Sequence, residues 1–280
     1  MIRAAVLGSP ISHSRSPLLH NAAYARLGVE GEYGAIEVDE NGVAHFLRSA
    51  YSDGYTGFSL TMPLKDIVRD HEAIDGIEAS TGLNFTIDSD AQVIGSINTL
   101  LRTDSGYRAL STDYLAFTRL FSPLSLGDAE VIVLGGGGTA RAAIGALVAL
   151  GVRTVHVHLR GGSSSRHAAG LLARFPTIAL VFHEFGTPLS SCALLINSTP
   201  QGAADGYAEQ LNNVRGAGTL TLFESLYHPW PTRLAAAAIG AGLPTFSGHD
   251  LLVEQALDQI ALMTGKEFDY DDMREFLRSL

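Results

Sequence analysis

The chain has 280 residues, 46% hydrophobic and 17% charged, with a formal net charge of -10, a pI near 5.4 and one cysteine. That length and apolar content suffice for two globular domains and exclude a chain disordered by composition. The acidic balance excludes a broad nucleic-acid surface, the lone Cys192 excludes an intrachain disulfide or a Cys-cluster zinc site, and no apolar run reaches the roughly 20 residues of a membrane helix. The N-terminal MIRAAVLG lacks the basic-then-apolar layout of a signal peptide, so a cytoplasmic location is expected. The histidines are scattered and predict no metal site; His156 and His158 alternate in VHVHL and are expected on one face of a strand.

In chain order, IRAAVLG, GEYGAIEV, YTGFSLT and INTLLRT read as strands, with helices over residues 17–27 and 42–50. From Ala129 a second series follows: AEVIVLG, a helix over 139–150, RTVHVHL, a helix near 164–175, then IALVFHE, CALLINS and GTLTLFE. Near-continuous apolar strands alternating with helices predict α/β architecture with parallel sheets covered on both faces. The crossing between halves is expected around residues 109–113. Helices over 250–264 and 271–280 follow the second sheet and fit either domain.

EVIVLGGGGTARAAIGALVALG combines an apolar strand, a glycine turn and a helix closed by Gly151. Gly135, Gly137 and Ala140 fit G-x-G-x-x-A, in which a tight bend, a close backbone approach and a small packing residue bring a pyrophosphate to a helix N-terminus. The next strand ends at Leu159-Arg160-Gly161, with no carboxylate to bind the ribose hydroxyls of NAD. Arg160, with Arg166, can instead pair with the 2′-phosphate of NADP. Arg141 is either a phosphate contact or a surface charge.

Three segments of the first half carry candidate chemistry. In GSPISHSRSPLLHNAAYARLG, Ser16 before Pro17 suits an N-cap and Gly28 closes the helix, while the neighbouring hydroxyl of Ser14 is not needed for capping. In GYTGFSLTMPLK, a strand runs out at Thr61, Pro63 stops it and Lys65 opens the next helix, where the macrodipole disfavours a lysine. VIGSINTLLR and YRALSTDYLAF supply Asn98 and Asp113; the latter also suits a cap.

Taken together, SPISHSRSPLLHN, SLTMPLK, IGSINTL, Ser111-Thr112-Asp113, LGGGGTAR, LYHPWPTRLAAAA and SGHDLLVEQALDQIALMTG resemble, in one order, the motifs of the shikimate dehydrogenase family. The resemblance implies an N-terminal α/β substrate-binding domain (1–110 with 250–280) and a Rossmann-like, doubly wound NADP-binding domain (111–249), the C-terminal helices returning to the first domain. It implies NADP-dependent reduction of 3-dehydroshikimate to shikimate in aromatic amino acid biosynthesis, by a monomer or homodimer. Lys65 and Asp113 would be catalytic, Lys65 as the proton-transfer residue and Asp113 as its partner, also bonded to a ring hydroxyl; Ser14 and Ser16 would hold the substrate carboxylate, and Thr61, Asn98 and Gln255 would bind ring hydroxyls. Tyr227 would lie by the carboxylate or the nicotinamide. Gly135, Gly136, Gly137, Gly138, Thr139, Arg160, Thr199, Ser225 and Gly248 would line the cofactor path, with Asn197 and Ser198. The sequence departs from the family pattern at Ser59, Ser111, Ala116, Glu224 and Leu251. A quinate/shikimate dehydrogenase using NAD and a non-catalytic shikimate-binding paralogue are the alternatives.

Overall fold

A computed structural model describes residues 1–66, 71–211 and 220–280. The chain forms two compact units, Met1–Asp113 with Leu252–Leu280, and Tyr114–Leu251.

The first unit begins with β1 (Ile2–Gly8), α1 (Ser16–Arg26), β2 (Gly31–Glu37), α2 (Val43–Ser52) and β3 (Gly57–Leu60). It continues with α3 (His71–Thr81), β4 (Asn84–Ile87), α4 (Ser89–Ile94), β5 (Thr99–Arg102) and β6 (Gly106–Leu110). The strands form one sheet in the order β2-β1-β3-β5-β6-β4. The expected all-parallel sheet is not what forms here: β5 runs antiparallel to both β3 and β6, because the short turn from Arg102 to Gly106 makes a hairpin where a parallel pair would need a crossover helix. β4 and β6 have no counterpart among the expected strands.

Strand periodicity sorts β1 between two faces. Ala5 and Leu7 pack with Val43, Leu47 and Ala50 of α2, Ile77 of α3, and Phe58 and Tyr107 of the sheet. Ala4 and Val6 pack with Tyr24, Tyr33 and Met263 on the other face. Each fully buried Leu or Phe here contributes about 1.5–3 kcal/mol from removal of apolar surface from water.

In the second unit, α5 (Thr112–Phe121) leads in from Asp113, followed by β7 (Val131–Leu134), α6 (Gly138–Ala149), β8 (Thr154–Leu159), α7 (Arg166–Arg174) and β9 (Ala179–Glu184). β10 (Leu194–Asn197), β11 (Thr221–Glu224), α8 (Arg233–Gly240) and β12 (Thr245–Ser247) complete it; the start of the expected strand GTLTLFE lies outside the described residues. The sheet order is β12-β11-β10-β7-β8-β9 with every pair parallel. This is the doubly wound dinucleotide-binding topology, whose strand order reverses between β7 and β10. The loops after those two strands, at Gly135 and at Ser198, therefore flank the switch point where such folds take their ligand.

α9 (Gly248–Thr264) carries the chain back to the first unit, and α10 (Tyr270–Arg278) follows. Leu19 and Ala23 of α1 pack with Val253, Ala256, Leu257 and Ile260 of α9 and Met273 and Leu277 of α10, so the last helices do return to the N-terminal part of the chain. Among the described residues no helix is long and apolar enough to cross a membrane.

Candidate functional site

The end of β3, the start of β5, the end of β6 and the middle of α9 bring their polar residues together in the first unit. The Lys65 ammonium donates to Asp113 Oδ2 at 2.5 Å, and the Asn98 amide donates to Asp113 Oδ1 at 3.0 Å. Asp113 is only 2% exposed, so its charge depends on these two donors for compensation. Charge-assisted hydrogen bonds of this kind are the strong ones. Asn98 also donates toward Gln255 Oε1 at 3.4 Å, while the Gln255 amide nitrogen donates back to the Leu252 carbonyl at 2.7 Å.

Asp113 lies in the first turn of α5, and the hydrogen bonds that its carboxylate makes are to the side chains of Lys65 and Asn98, one on each oxygen. Lys65 lies in a 3-10 turn, Leu64–Asp66, and its charge is offset by Asp113. The turn is tied down through its backbone, with the Ile97 N–H donating to the Lys65 carbonyl at 3.1 Å. Thr61 precedes it, and only a glycine fits opposite: a Cβ on Gly8 would come within 2.4 Å of Thr61 Cγ2.

At α1 the capping expectation is corrected. Ser16 is the first residue of the helix and Arg15 occupies the N-cap without a side-chain hydrogen bond. Ser14 supplies the local closure instead, its Oγ accepting from the Ser16 N–H at 3.3 Å. Ser16 is buried, and capping does not explain its hydroxyl. Ser14 and Ser16 thus stay adjacent at a helix N-terminus, which favours a negatively charged ligand group.

In the second unit the glycine turn has separable requirements. Gly135 has φ +105°, and a Cβ there would lie 2.7 Å from Ser198 Oγ; a Cβ on Gly136 would lie 2.9 Å from His167 Cβ. Gly137 is extended, serves as N-cap of α6 without a side chain to occupy the first-turn N–H groups, and its added Cβ would meet no protein atom within 4 Å. Gly138 and Thr139 open the helix. An uncapped N-terminus with an unobstructed approach at Gly137 fits a dinucleotide pyrophosphate. Arg141 is not a surface charge: it is 3% exposed and donates to the Gly136 carbonyl of the turn at 3.3 Å.

Across the switch point, Asn197 at the end of β10 donates to both oxygens of Glu224 on β11, at 3.0 and 2.9 Å. Its own Oδ1 accepts from the Thr199 hydroxyl at 2.6 Å, and Ser198 Oγ donates to the Leu134 carbonyl at 2.8 Å. These side chains shape the loop from behind. Burial pushes the Glu224 carboxyl above its ordinary range, against the hydrogen bonds from Asn197, Thr232 and the Leu226 N–H. Gly248 is needed where it is because a Cβ would lie 2.1 Å from the Ser225 carbonyl oxygen.

Arg160 is exposed just past β8, and Arg166 is exposed at the start of α7. Sequence reading found no carboxylate at this strand end, but β9 brings one: Glu184 pairs in register with Leu159 and accepts from the Gly161 N–H at 3.0 Å. Elsewhere on β8, His156 and His158 do share a face, both packing against His183; His156 also pairs with Glu130 at 2.6 Å. Among the described residues no group of three or more His, Cys, Asp or Glu is placed to hold a metal. Cys192 is buried just before β10, and burial pushes its thiol up to about 12.

Residues 6–100 match the family model described as the shikimate dehydrogenase substrate binding domain. Over 278 residues, 98% of this chain and 95% of the relative, the sequence is 30% identical to shikimate dehydrogenase (NADP(+)) of Anaeromyxobacter dehalogenans. The chain belongs to the shikimate dehydrogenase family. Its fold superposes on the Mycobacterium tuberculosis shikimate dehydrogenase with a TM-score of 0.83, at 33% identity and full coverage of both chains. The Thermus thermophilus shikimate 5-dehydrogenase, solved in complex with NADP(H) and shikimate, superposes with a TM-score of 0.78 at 27% identity, covering 100% of this chain and 99% of that one.

Within this shikimate dehydrogenase family member, direct hydrogen bonds join Lys65, Asp113, Asn98 and Gln255 in the first unit. Tyr227 belongs to the second unit, as do the glycine turn, Arg160, Thr199, Ser225 and Gly248. Sequence reading missed Glu184 and also Gln259, which stands four residues after Gln255. That i, i+4 spacing, which sets two glutamines on one helix face, was the available signal.

Proposed function

We propose that this chain is an NADP-dependent shikimate dehydrogenase that reduces 3-dehydroshikimate to shikimate and runs the reverse oxidation, a step of aromatic amino acid biosynthesis. The observation that carries the reading is the Lys65–Asp113 pair at 2.5 Å, in a unit that includes the match to the family's substrate-binding domain. Support also comes from relatives named for NADP and from the neighbour solved with NADP(H) and shikimate. In this reading residues 1–110 with 250–280 bind substrate, and residues 111–249 bind NADP.

Bound NADPH supplies the hydride to the substrate carbonyl carbon. As the carbonyl oxygen gains negative charge, the Lys65 ammonium donates a proton to it; in the oxidation the neutral amine takes that proton from the hydroxyl. Asp113 fixes the lysine in place and accepts a ring hydroxyl. Ser14 and Ser16 hold the substrate carboxylate at the α1 N-terminus, and Thr61, Asn98 and Gln255 bind ring hydroxyls. Tyr227 serves the carboxylate or the nicotinamide. The backbone of Gly135, Gly136, Gly137, Gly138 and Thr139 holds the pyrophosphate, Arg160 pairs with the 2′-phosphate, and Thr199, Ser225 and Gly248 line the nicotinamide side. Formation of NADPH on mixing the protein with shikimate and NADP+ tests the reading; absence of any cofactor reduction across the pH range, with shikimate still bound, would leave only a binding protein.

A further inference from the structure

Gln259, on α9, has no part in that mechanism, yet it stands at the centre of the polar groups behind Asn98. It is fully buried. Its Oε1 accepts from the Ser59 hydroxyl at 2.6 Å, and Ser59 Oγ lies 2.5 Å from the Tyr33 hydroxyl. An amide oxygen only accepts, so the single Ser59 proton goes to Gln259, and Tyr33 donates to Ser59.

The other end of Gln259 is equally determined. Its amide nitrogen donates to Thr99 Oγ1 at 2.9 Å and Thr112 Oγ1 at 3.2 Å, with the Asn98 carbonyl at 3.3 Å. Thr112 Oγ1 also accepts from Asn98 Nδ2 at 2.8 Å. With both lone pairs engaged, Thr112 sends its own proton to Thr99 at 3.1 Å, and Thr99 sends its proton to Asn98 Oδ1 at 3.3 Å. Asn98 Oδ1 takes the Thr112 N–H as well, at 2.6 Å. Only one orientation of the Asn98 amide satisfies all of these, and it turns Nδ2 toward Asp113 Oδ1.

We infer that Gln259 is a positioning residue for the reaction: its amide sets the hydrogen-bond polarity that holds Asn98 toward Asp113, and through Asp113 it holds Lys65. The inference rests on the proposed roles of Lys65 and Asp113. The chain orients and does not conduct, because amides donate and accept on different atoms and hand no proton onward. A network in which every member is satisfied rigidifies what it touches.

Gln259→Met keeps length and approximate volume while removing the polarity. Met263→Ala, one turn further along α9 in the cluster of Ala4, Val6, Tyr24 and Tyr33, removes packing while leaving every polar group of the network in place. In the full-length protein, kcat for shikimate oxidation is expected to fall about tenfold in Gln259→Met with both KM values within about twofold, and to stay near wild type in Met263→Ala. Side-chain amide proton exchange of Asn98, followed by 15N NMR without ligands, is expected to accelerate about tenfold in Gln259→Met alone. A wild-type kcat in Gln259→Met, an equal loss in the two variants, or unchanged Asn98 exchange would overturn the inference. Should wild type fail to turn over shikimate, the functional reading falls and the exchange comparison alone decides the positioning role. If Gln259→Met does not fold, Ser59→Ala breaks the same polarity at Gln259 Oε1 and takes its place.

Discussion

Lys65 and Asp113 meet at 2.5 Å across 48 residues of sequence, one delivered by the turn after β3 and the other by the first turn of α5. The carboxylate is the more buried partner, with 3% side-chain exposure against 19% for the lysine, so the lysine is the one left able to reach a ligand. Removing its ammonium takes away the proton donor and leaves the hydroxyl-binding residues in place. Lys65→Ala is expected to lower kcat by about 10²–10⁴-fold, the range ordinarily supplied by general acid–base catalysis. KM for shikimate should change far less; steady-state kinetics checks both, and an unchanged kcat would remove the lysine from the chemistry.

Arg160 and Gly137 test the cofactor half separately. Arg160 is exposed, so its loss should leave folding intact. Arg160→Ala is expected to raise KM for NADP+ about tenfold, the worth of one charge-assisted hydrogen bond discounted for solvent, with little effect on NAD+. Equal effects on both nucleotides would show that the arginine does not read the 2′-phosphate.

The glycine turn offers a contrast within three residues. Gly137→Ala should keep the wild-type melting temperature, since the residue is extended and nothing lies within 4 Å of the added Cβ, yet weaken NADP+ binding. Gly135→Ala should instead destabilise the protein by about 1–3 kcal/mol, because φ is +105° and the new Cβ meets Ser198. Thermal melts and nucleotide titrations on the two variants distinguish folding from binding.

Much of this was legible in the chain. The strand IRAAVLG and β1 coincide, and in the second half β7, α6, β8, α7 and β9 alternate as the sequence predicts, consistent with the parallel pairing of those strands. β4 was missed because it is four residues at a sheet edge with alternate residues exposed, too short to show a period. The antiparallel β5–β6 hairpin had a signal in Thr103-Asp104-Ser105-Gly106, a turn-forming run, that the alternating pattern overrode. The pairing of Lys65 with Asp113 was legible only through the family resemblance, because no local period encodes a three-dimensional approach, and the hydrogen bond from Arg141 to Gly136 had no signal in the chain. Glu184 was invisible because it belongs to the neighbouring strand.

His20 provides a pH test that is independent of activity. It is fully buried, stacked on Tyr33 at 3.8 Å, and neither ring nitrogen has a partner at bonding geometry. Burial drives its pKa down to about 3, against a weaker opposing pull from Gln259. The unfolded chain takes up a proton near pH 6.5 and the folded one does not, so stability from this residue is present above about pH 6.5 and declines toward pH 3. The slope approaches about 1.4 kcal/mol per pH unit. Denaturation at pH 7 and pH 5 should show this loss, and His20→Phe should diminish it; identical pH dependence in the two proteins would mean the histidine is not buried neutral.

The most direct test of the central claim is a matrix of kcat/KM for shikimate and quinate, each with NADP+ and NAD+. The highest value is expected for shikimate with NADP+, with quinate or NAD+ each lowering it. A dominant quinate and NAD+ activity, or no turnover in any of the four combinations, would contradict the account.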